Sequence, residues 1–160
     1  SVEPPMFVDV VNVTSAADMA DVVKSKAAEQ DIIIMTAAVA DFCPSHPADE
    51  KIKKNDSSYE SVIELERTED ILSYLGAHKA KGQLICGFSM ETQNMLENSK
   101  AKLAKKNADM IVANNLKVAG AGFGTDTNVV TLITADDCTE LEIMDKSCVA
   151  AKIMDRLLQM

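Results

Sequence analysis

Asp31 to Asp41 reads DIIIMTAAVAD, and its reading decides the fold. Ile32, Ile33, Ile34 and Met35 form a continuous apolar run, not an alternating one. A run that short and that β-branched predicts a strand buried on both faces, as in a parallel sheet covered by helices. Small residues follow from Ala37 to Ala40, and the chain then reaches a charge at Asp41. Ligands of open α/β sheets bind just beyond the carboxyl ends of the strands. Ala37 to Asp41 therefore stands where a site is expected, with small side chains that let a ligand approach the backbone. A tight strand-to-loop turn with a solvated Asp41 fits the same residues.

The segments around this strand repeat the pattern. Upstream, Met6 to Val13 predicts a first strand, and Ser15-Ala16-Ala17-Asp18 resembles a capping box that opens a helix to Glu29. Met19, Val22 and Val23 give that helix an apolar face. Strand, helix and strand would make a right-handed βαβ unit. Downstream, Phe42 to Ser58 is polar and poorly periodic, with Pro44, Pro47 and a lysine cluster. Loops this long are often binding loops, so it is expected to move when no ligand is present. A strand is expected from Tyr59 to Glu66.

Thr68 is expected to cap a helix with Glu69 and Asp70 in its first turn and Ile71, Leu72 and Leu75 inward. Gly82 ends that region. Leu84 to Ser89 predicts a buried strand, and Thr92 a cap for a helix from Gln93 to Lys106 with Leu96, Ser99 and Leu103 at core spacing. Met110 to Ala113 predicts another buried strand. Val129 to Thr134 and Glu140 to Met144 predict a terminal strand pair. Ser147 is expected to cap a last helix, Cys148 to Leu158, with Val149, Ile153, Leu157 and Leu158 inward. The 160 residues thus predict a single domain of α/β class: a three-layer, Rossmann-like, mostly parallel sheet with helices on both faces and a C-terminal antiparallel strand pair.

Composition limits the function. A formal charge of −9 and a pI near 4.7 argue against a nucleic-acid polymer as partner. A small anion remains compatible, because Lys51, Lys53, Lys54, Lys100, Lys102, Lys105 and Lys106 hold seven of the 16 basic residues. No apolar run approaches the roughly 20 residues of a membrane helix. Cys43, Cys86, Cys138 and Cys148 form no C-x-x-C pair and read as reduced thiols of a cytoplasmic protein. His46 and His78 read as surface residues. The glycine-rich stretch AGAGFGTDTN, Ala119 to Asn128, lacks the dinucleotide fingerprint, which weakens a nicotinamide-dependent reductase reading. Polar and small groups at strand ends, together with lysine clusters, suit a nucleoside triphosphate or a phosphate ester.

Six segments in order resemble the phosphopantothenate–cysteine ligases, also called phosphopantothenoylcysteine synthetases. They are AAVADF (Ala37 to Phe42), KIKK (Lys51 to Lys54), DIL (Asp70 to Leu72), GFSMET (Gly87 to Thr92), KLAKKNADMIVAN (Lys102 to Asn114) and FGTDTN (Phe123 to Asn128). In bacteria this ligase is often the C-terminal domain of a bifunctional coenzyme A biosynthesis flavoprotein, behind a flavin-dependent decarboxylase domain. The resemblance implies that 4′-phosphopantothenate is activated by CTP to an acyl-cytidylate and then joined to L-cysteine. It also implies Mg2+, no FMN in this domain, and a homodimer to which Tyr59 to Glu66 contributes. By the same resemblance, Lys51 serves catalysis and the nucleotide phosphates. Met35, Thr36, Ala37, Asp41, Glu69, Asp70, Ile71, Leu72, Phe88, Lys102 and Lys106 complete the nucleotide set; the metal ligands stay unassigned.

Two departures from the family pattern matter. Glu69 stands where members often have proline. Members also begin with a strand, a glycine-rich turn and an Asn-Ser-Ser-Gly-like run whose asparagine serves the intermediate. This chain is expected to start after that unit. The alternative reading that follows is a catalytically inactive nucleotide-binding and dimerisation fragment of such an enzyme.

Overall fold

The computed structural model describes residues 4–48, 50–51, 62–91, 94–115 and 124–160. The chain runs α1 (Ala16–Ala27), β1 (Ile32–Met35), β2 (Phe42–Pro44), β3 (Leu65–Arg67), α2 (Ile71–Ala77), β4 (Leu84–Glu91) and α3 (Met95–Lys106). It continues through β5 (Met110–Asn115), β6 (Thr127–Asn128), β7 (Val130–Ile133), β8 (Cys138–Glu140), β9 (Met144–Asp145) and α4 (Lys146–Leu157). Five strands form the main sheet in the order β1-β4-β5-β7-β8. The β1–β4 and β4–β5 pairs are parallel; β5–β7 and β7–β8 are antiparallel. Two short antiparallel pairs, β2–β3 and β6–β9, lie outside it. Among the described residues no helix is long and apolar enough to cross a membrane.

Alternating side chains divide the core into two faces. On one, Cys86, Met110, Val112, Val130 and Leu132 pack with Val149, Ile153 and Leu157 of α4. On the other, Ile85 packs with Ala20, Ile71 and Leu75 of α1 and α2. α3 joins the second face through the buried Ser89–Ser99 hydroxyl pair at 2.9 Å. Helices thus cover both faces, giving the expected three-layer α/β fold. The α1 capping box forms as read: the Asp18 N–H donates to Ser15 Oγ at 3.1 Å and the Ser15 N–H to the Asp18 carboxylate at 3.0 Å. Bonds from Ser15 and then Thr14 hold the Asp18 carboxyl below its ordinary value.

Several elements differ from expectation. Met6 to Val13 forms no strand; it lacks a ladder partner, and Met6, Phe7, Val8, Val10, Val11 and Val13 are exposed. A β-rich composition does not suffice where no neighbouring strand offers backbone partners. The parallel crossovers are therefore β1 to β4 and β4–α3–β5, not a unit at the start of the chain. β1 is an edge strand and only half-buried, not covered on both faces. Phe42–Pro44, read as loop, pairs with Leu65–Arg67, so the described part of the expected strand to Glu66 is shorter and shifted. Val62, Ile63 and Leu65 are exposed, as are Leu96 and Leu158, which were expected inside.

Asp70, not Thr68, caps α2, and Asp145 rather than Ser147 precedes α4. In the terminal region β7 pairs with β8, which ends at Glu140, and Met144–Asp145 pairs with β6. Residues 52–61, 92–93 and 116–123 lie outside the described residues, and with them Lys53, Lys54, Thr92, Phe123 and part of both the expected mobile loop and the expected dimer strand.

The thiols differ sharply in environment. Burial, and then the nearby Asp109 carboxylate, push the Cys86 thiol up to about 12, whereas Cys138 and Cys148 are exposed. The thiolate is the nucleophile, so a raised value means an inert group. Iodoacetamide is expected to label Cys138 and Cys148 in the native protein and Cys86 only after denaturation. Labelling of Cys86 under native conditions, read by peptide mass, would contradict this burial.

Candidate functional site

A cleft of about 200 Å³ opens beyond the carboxyl ends of β1 and β4. One wall is the small-residue turn after β1, with Ala37, Val39, Ala40 and Asp41; Met35 and Phe88 come from the strands themselves. A second wall is the start of α2, from Thr68 to Leu72, and α3 contributes Lys102 and Lys106. The small side chains leave the backbone accessible, which is why this stretch can line a cleft at all.

Hydrogen bonds fix the two walls to each other. The Thr68 N–H donates to the Asp41 carbonyl at 3.0 Å, and the Thr68 hydroxyl donates to the Ala40 carbonyl. Asp70 accepts the Ser73 N–H at 2.9 Å, so one donor of the first turn of α2 is already engaged. Its other carboxylate oxygen binds the Lys106 ammonium, which also donates to Ser73 Oγ at 2.9 Å. Partial burial pushes the Asp70 carboxyl up, but Lys106 and the Ser73 N–H outweigh it and hold the group below its ordinary value. Lys102 donates to the Phe88 carbonyl at 3.0 Å. Glu69 pairs with Lys24 of α1, whose ammonium lies 5.0 Å from the centre of the Tyr74 ring. Tyr74 in turn stacks on His78 at 4.1 Å.

Of the residues singled out from the sequence, Met35, Ala37, Asp41, Glu69, Asp70, Ile71, Leu72, Phe88, Lys102 and Lys106 line this one cleft. Thr36 and Lys51 do not; both are exposed. His46 and His78 are exposed too. The nucleotide set implied by the resemblance omits Val39, Ala40 and Thr68, although Val39 and Ala40 lie in the stretch Ala37 to Asp41 where a site is expected. Val39 and Ala40 carried a signal, since they sit inside the small-residue stretch. Thr68 did not, because its contact with Ala40 joins positions 28 residues apart.

The charge balance also differs from a simple basic pocket. Asp41, Glu69 and Asp70 line the cleft beside Lys102 and Lys106, and both lysines already hold protein partners. The Asp41 carboxylate has no hydrogen bond or ion pair among the described residues. Asn114, at the end of β5, accepts from the Asn128 amide at 2.7 Å and lies outside the cleft lining.

Comparison with known proteins places this geometry in a family. Residues 1–160 match the family described as DNA/pantothenate metabolism flavoprotein C-terminal domain. The chain is 46% identical over 156 residues to the coenzyme A biosynthesis bifunctional protein CoaBC of Bacillus subtilis (strain 168), covering 97% of this chain and 38% of that protein. It is 45% identical over 152 residues to a cysteine/cysteine sulfinic acid decarboxylase of an unknown prokaryotic organism, covering 94% of this chain and 42% of that one. The chain therefore spans less than half the length of these relatives. Among solved structures, the C-terminal domain of a CoaBC protein superimposes with a TM-score of 0.79 at 41% identity, covering 99% of this chain and 71% of that chain. The match along the whole chain, and the agreement in fold, show that this protein belongs to the DNA/pantothenate metabolism flavoprotein C-terminal domain family.

Proposed function

We propose that the cleft binds CTP and that the chain forms the ligase part of a coenzyme A biosynthesis enzyme, joining 4′-phosphopantothenate to L-cysteine in the cytoplasm. The observation that carries this reading is the convergence of ten residues from four separate sequence segments on one cleft at the strand ends. The segments carry four of the six stretches through which the sequence resembles the ligases, AAVADF, DIL, GFSMET and KLAKKNADMIVAN, with Met35 and Glu69 adjoining them.

The chemistry suits the residues. A carboxylate that attacks an α-phosphorus brings two anions together, so catalysis rests on positioning and charge neutralisation. Lys102 and Lys106 are held by the Phe88 carbonyl and by Asp70, so the cleft suits base and ribose, which need fixed donors and acceptors. Lys51, exposed, outside the cleft lining and without a partner among the described residues, is the cation we assign to the phosphates.

Mg2+ fits as a nucleotide-borne ion. Among the described residues no three His, Cys, Asp or Glu side chains converge into a metal cage. Magnesium bound with phosphates needs only one or two carboxylates, and Asp41 would supply one. The ion would neutralise phosphate charge there. The β2–β3 strand pair, with Phe42 and Leu65 exposed in it and Ile63 exposed just before it, is the surface we assign to a homodimer contact. An isolated two-stranded pair is marginal without such support.

Calorimetric titration with CTP, ATP and NAD in the presence of Mg2+ tests the nucleotide reading. CTP alone is expected to bind. A decarboxylase, as the second relative is named, has no need of a nucleoside triphosphate, so an absence of CTP binding together with cysteine decarboxylation would replace the ligase reading. NAD binding without CTP binding would replace it with a reductase.

A further inference from the structure

α2 and the end of α3 touch at backbone level. A Cβ placed on Gly76 would stand 1.8 Å from the carbonyl oxygen of Lys106 and 2.8 Å from its carbonyl carbon. Only glycine permits that approach, because the obstacle is backbone and cannot swing aside. The next residue, Asn107, takes a left-handed backbone (φ 49°, ψ 38°) that ends α3. Its amide Nδ2 donates to the Gly76 carbonyl at 2.7 Å. That carbonyl lies in the last turn of α2, where carbonyls lack helical partners. Gly76 is therefore held twice, by the close approach of the Lys106 carbonyl and by the Asn107 amide on its own carbonyl.

The same Lys106 sends its side chain back along α2 to Ser73 and Asp70. Ser73 is about one helical turn from Gly76, a span of about 5 Å that a lysine side chain covers. The backbone of Lys106 is thus fixed at one end of α2 and its ammonium arrives at the other, on the cleft wall. At that wall Gly87 seats α2 a second time. A Cβ there would lie 2.6 Å from Leu72 Cδ2.

We propose that Gly76 and Asn107 are positioning residues: their joint sets where the Lys106 ammonium meets Asp70, and so sets the nucleotide affinity of the cleft. The affinity part rests on the CTP reading given above; the placement part does not.

Asn107→Gly separates these parts. Glycine keeps the left-handed backbone and removes only the amide. CTP affinity is expected to fall about tenfold in the wild-type background and less than about twofold in a Lys106→Ala background, the non-additivity of residues acting through one group. The Asp70 carboxyl, followed by NMR titration, is expected to move up toward its ordinary value as the ammonium withdraws. Asn107→Asp, which also accepts the left-handed backbone but has no donor there, gives the same readings if glycine loosens the turn.

Equal weakening in both backgrounds would show a general structural defect and overturn the proposal. So would an Asp70 titration unchanged by both variants. A wild-type chain that binds no CTP would sink the nucleotide reading, while the Asp70 titration would still decide whether the joint places Lys106.

Discussion

On the proposed ligase reading, replacing Lys51 by glutamine is expected to slow pyrophosphate release from CTP about a hundredfold to a thousandfold, the scale seen when one transition-state charge partner is removed. The measurement belongs in the full-length enzyme, with 4′-phosphopantothenate present. Thermal unfolding is expected to stay unchanged, because Lys51 is exposed and has no hydrogen bond or ion pair among the described residues. Glutamine keeps much of the length and polarity of the side chain and removes only the charge. Any large kinetic loss must therefore come from charge on the substrates. The cleft lysines cannot easily substitute, since Lys102 serves the Phe88 carbonyl and Lys106 serves Asp70. Near-normal pyrophosphate release by Lys51→Gln would remove Lys51 from the mechanism.

Gly76→Ala is expected to lower the melting temperature by about 6–12 °C. Overpacking a core costs about 1–3 kcal/mol when side chains can adjust, and more when they cannot. Here the obstacle is the Lys106 carbonyl, so α2 must move away from α3. A cost of about 3 kcal/mol in a domain of this size corresponds to about 2–4 °C for each kcal/mol. The displacement would also break the Asn107 bond to the Gly76 carbonyl. Calorimetry of the two proteins side by side decides it. A change of less than about 2 °C would mean that the helices have room to part, against the close approach described above.

How far the sequence could be read depended on where the signal lay. The IIIM run announced β1, and the apolar runs at Leu84 and Met110 announced β4 and β5, because a buried strand carries its own hydrophobic record. That record does not say which strand lies at an edge, and the run that predicts burial on both faces sits half-buried at the edge of the sheet. Met6 to Val13 carried a strand-like composition yet had no neighbour to pair with. Pairing between Phe42 and Arg67 is a long-range property and left no local mark. Capping was legible at Ser15, where both partners lie within three residues. It is ambiguous between Thr68 and Asp70, where two good capping residues stand close together and tertiary contact with Ala40 claims one of them. The cleft was legible because the strand-end motifs carry it. The occupation of its lysines by Phe88 and Asp70 was not, since charge in a sequence says nothing about the partner it has found.

The antiparallel strands β7 and β8 carry a practical consequence. From the register, Cys138 pairs with Ile133, which pairs with Ile111 near the amino end of β5. Cys138 therefore stands on the strand at the opposite edge from β1 and toward the opposite end from the cleft, and it is exposed. With Cys43 and Cys148 replaced by serine, it becomes a single handle for a fluorophore or a surface tether. Single-molecule or immobilised binding measurements could then be made with the cleft facing free solution and the reporter attached to the far rim of the sheet.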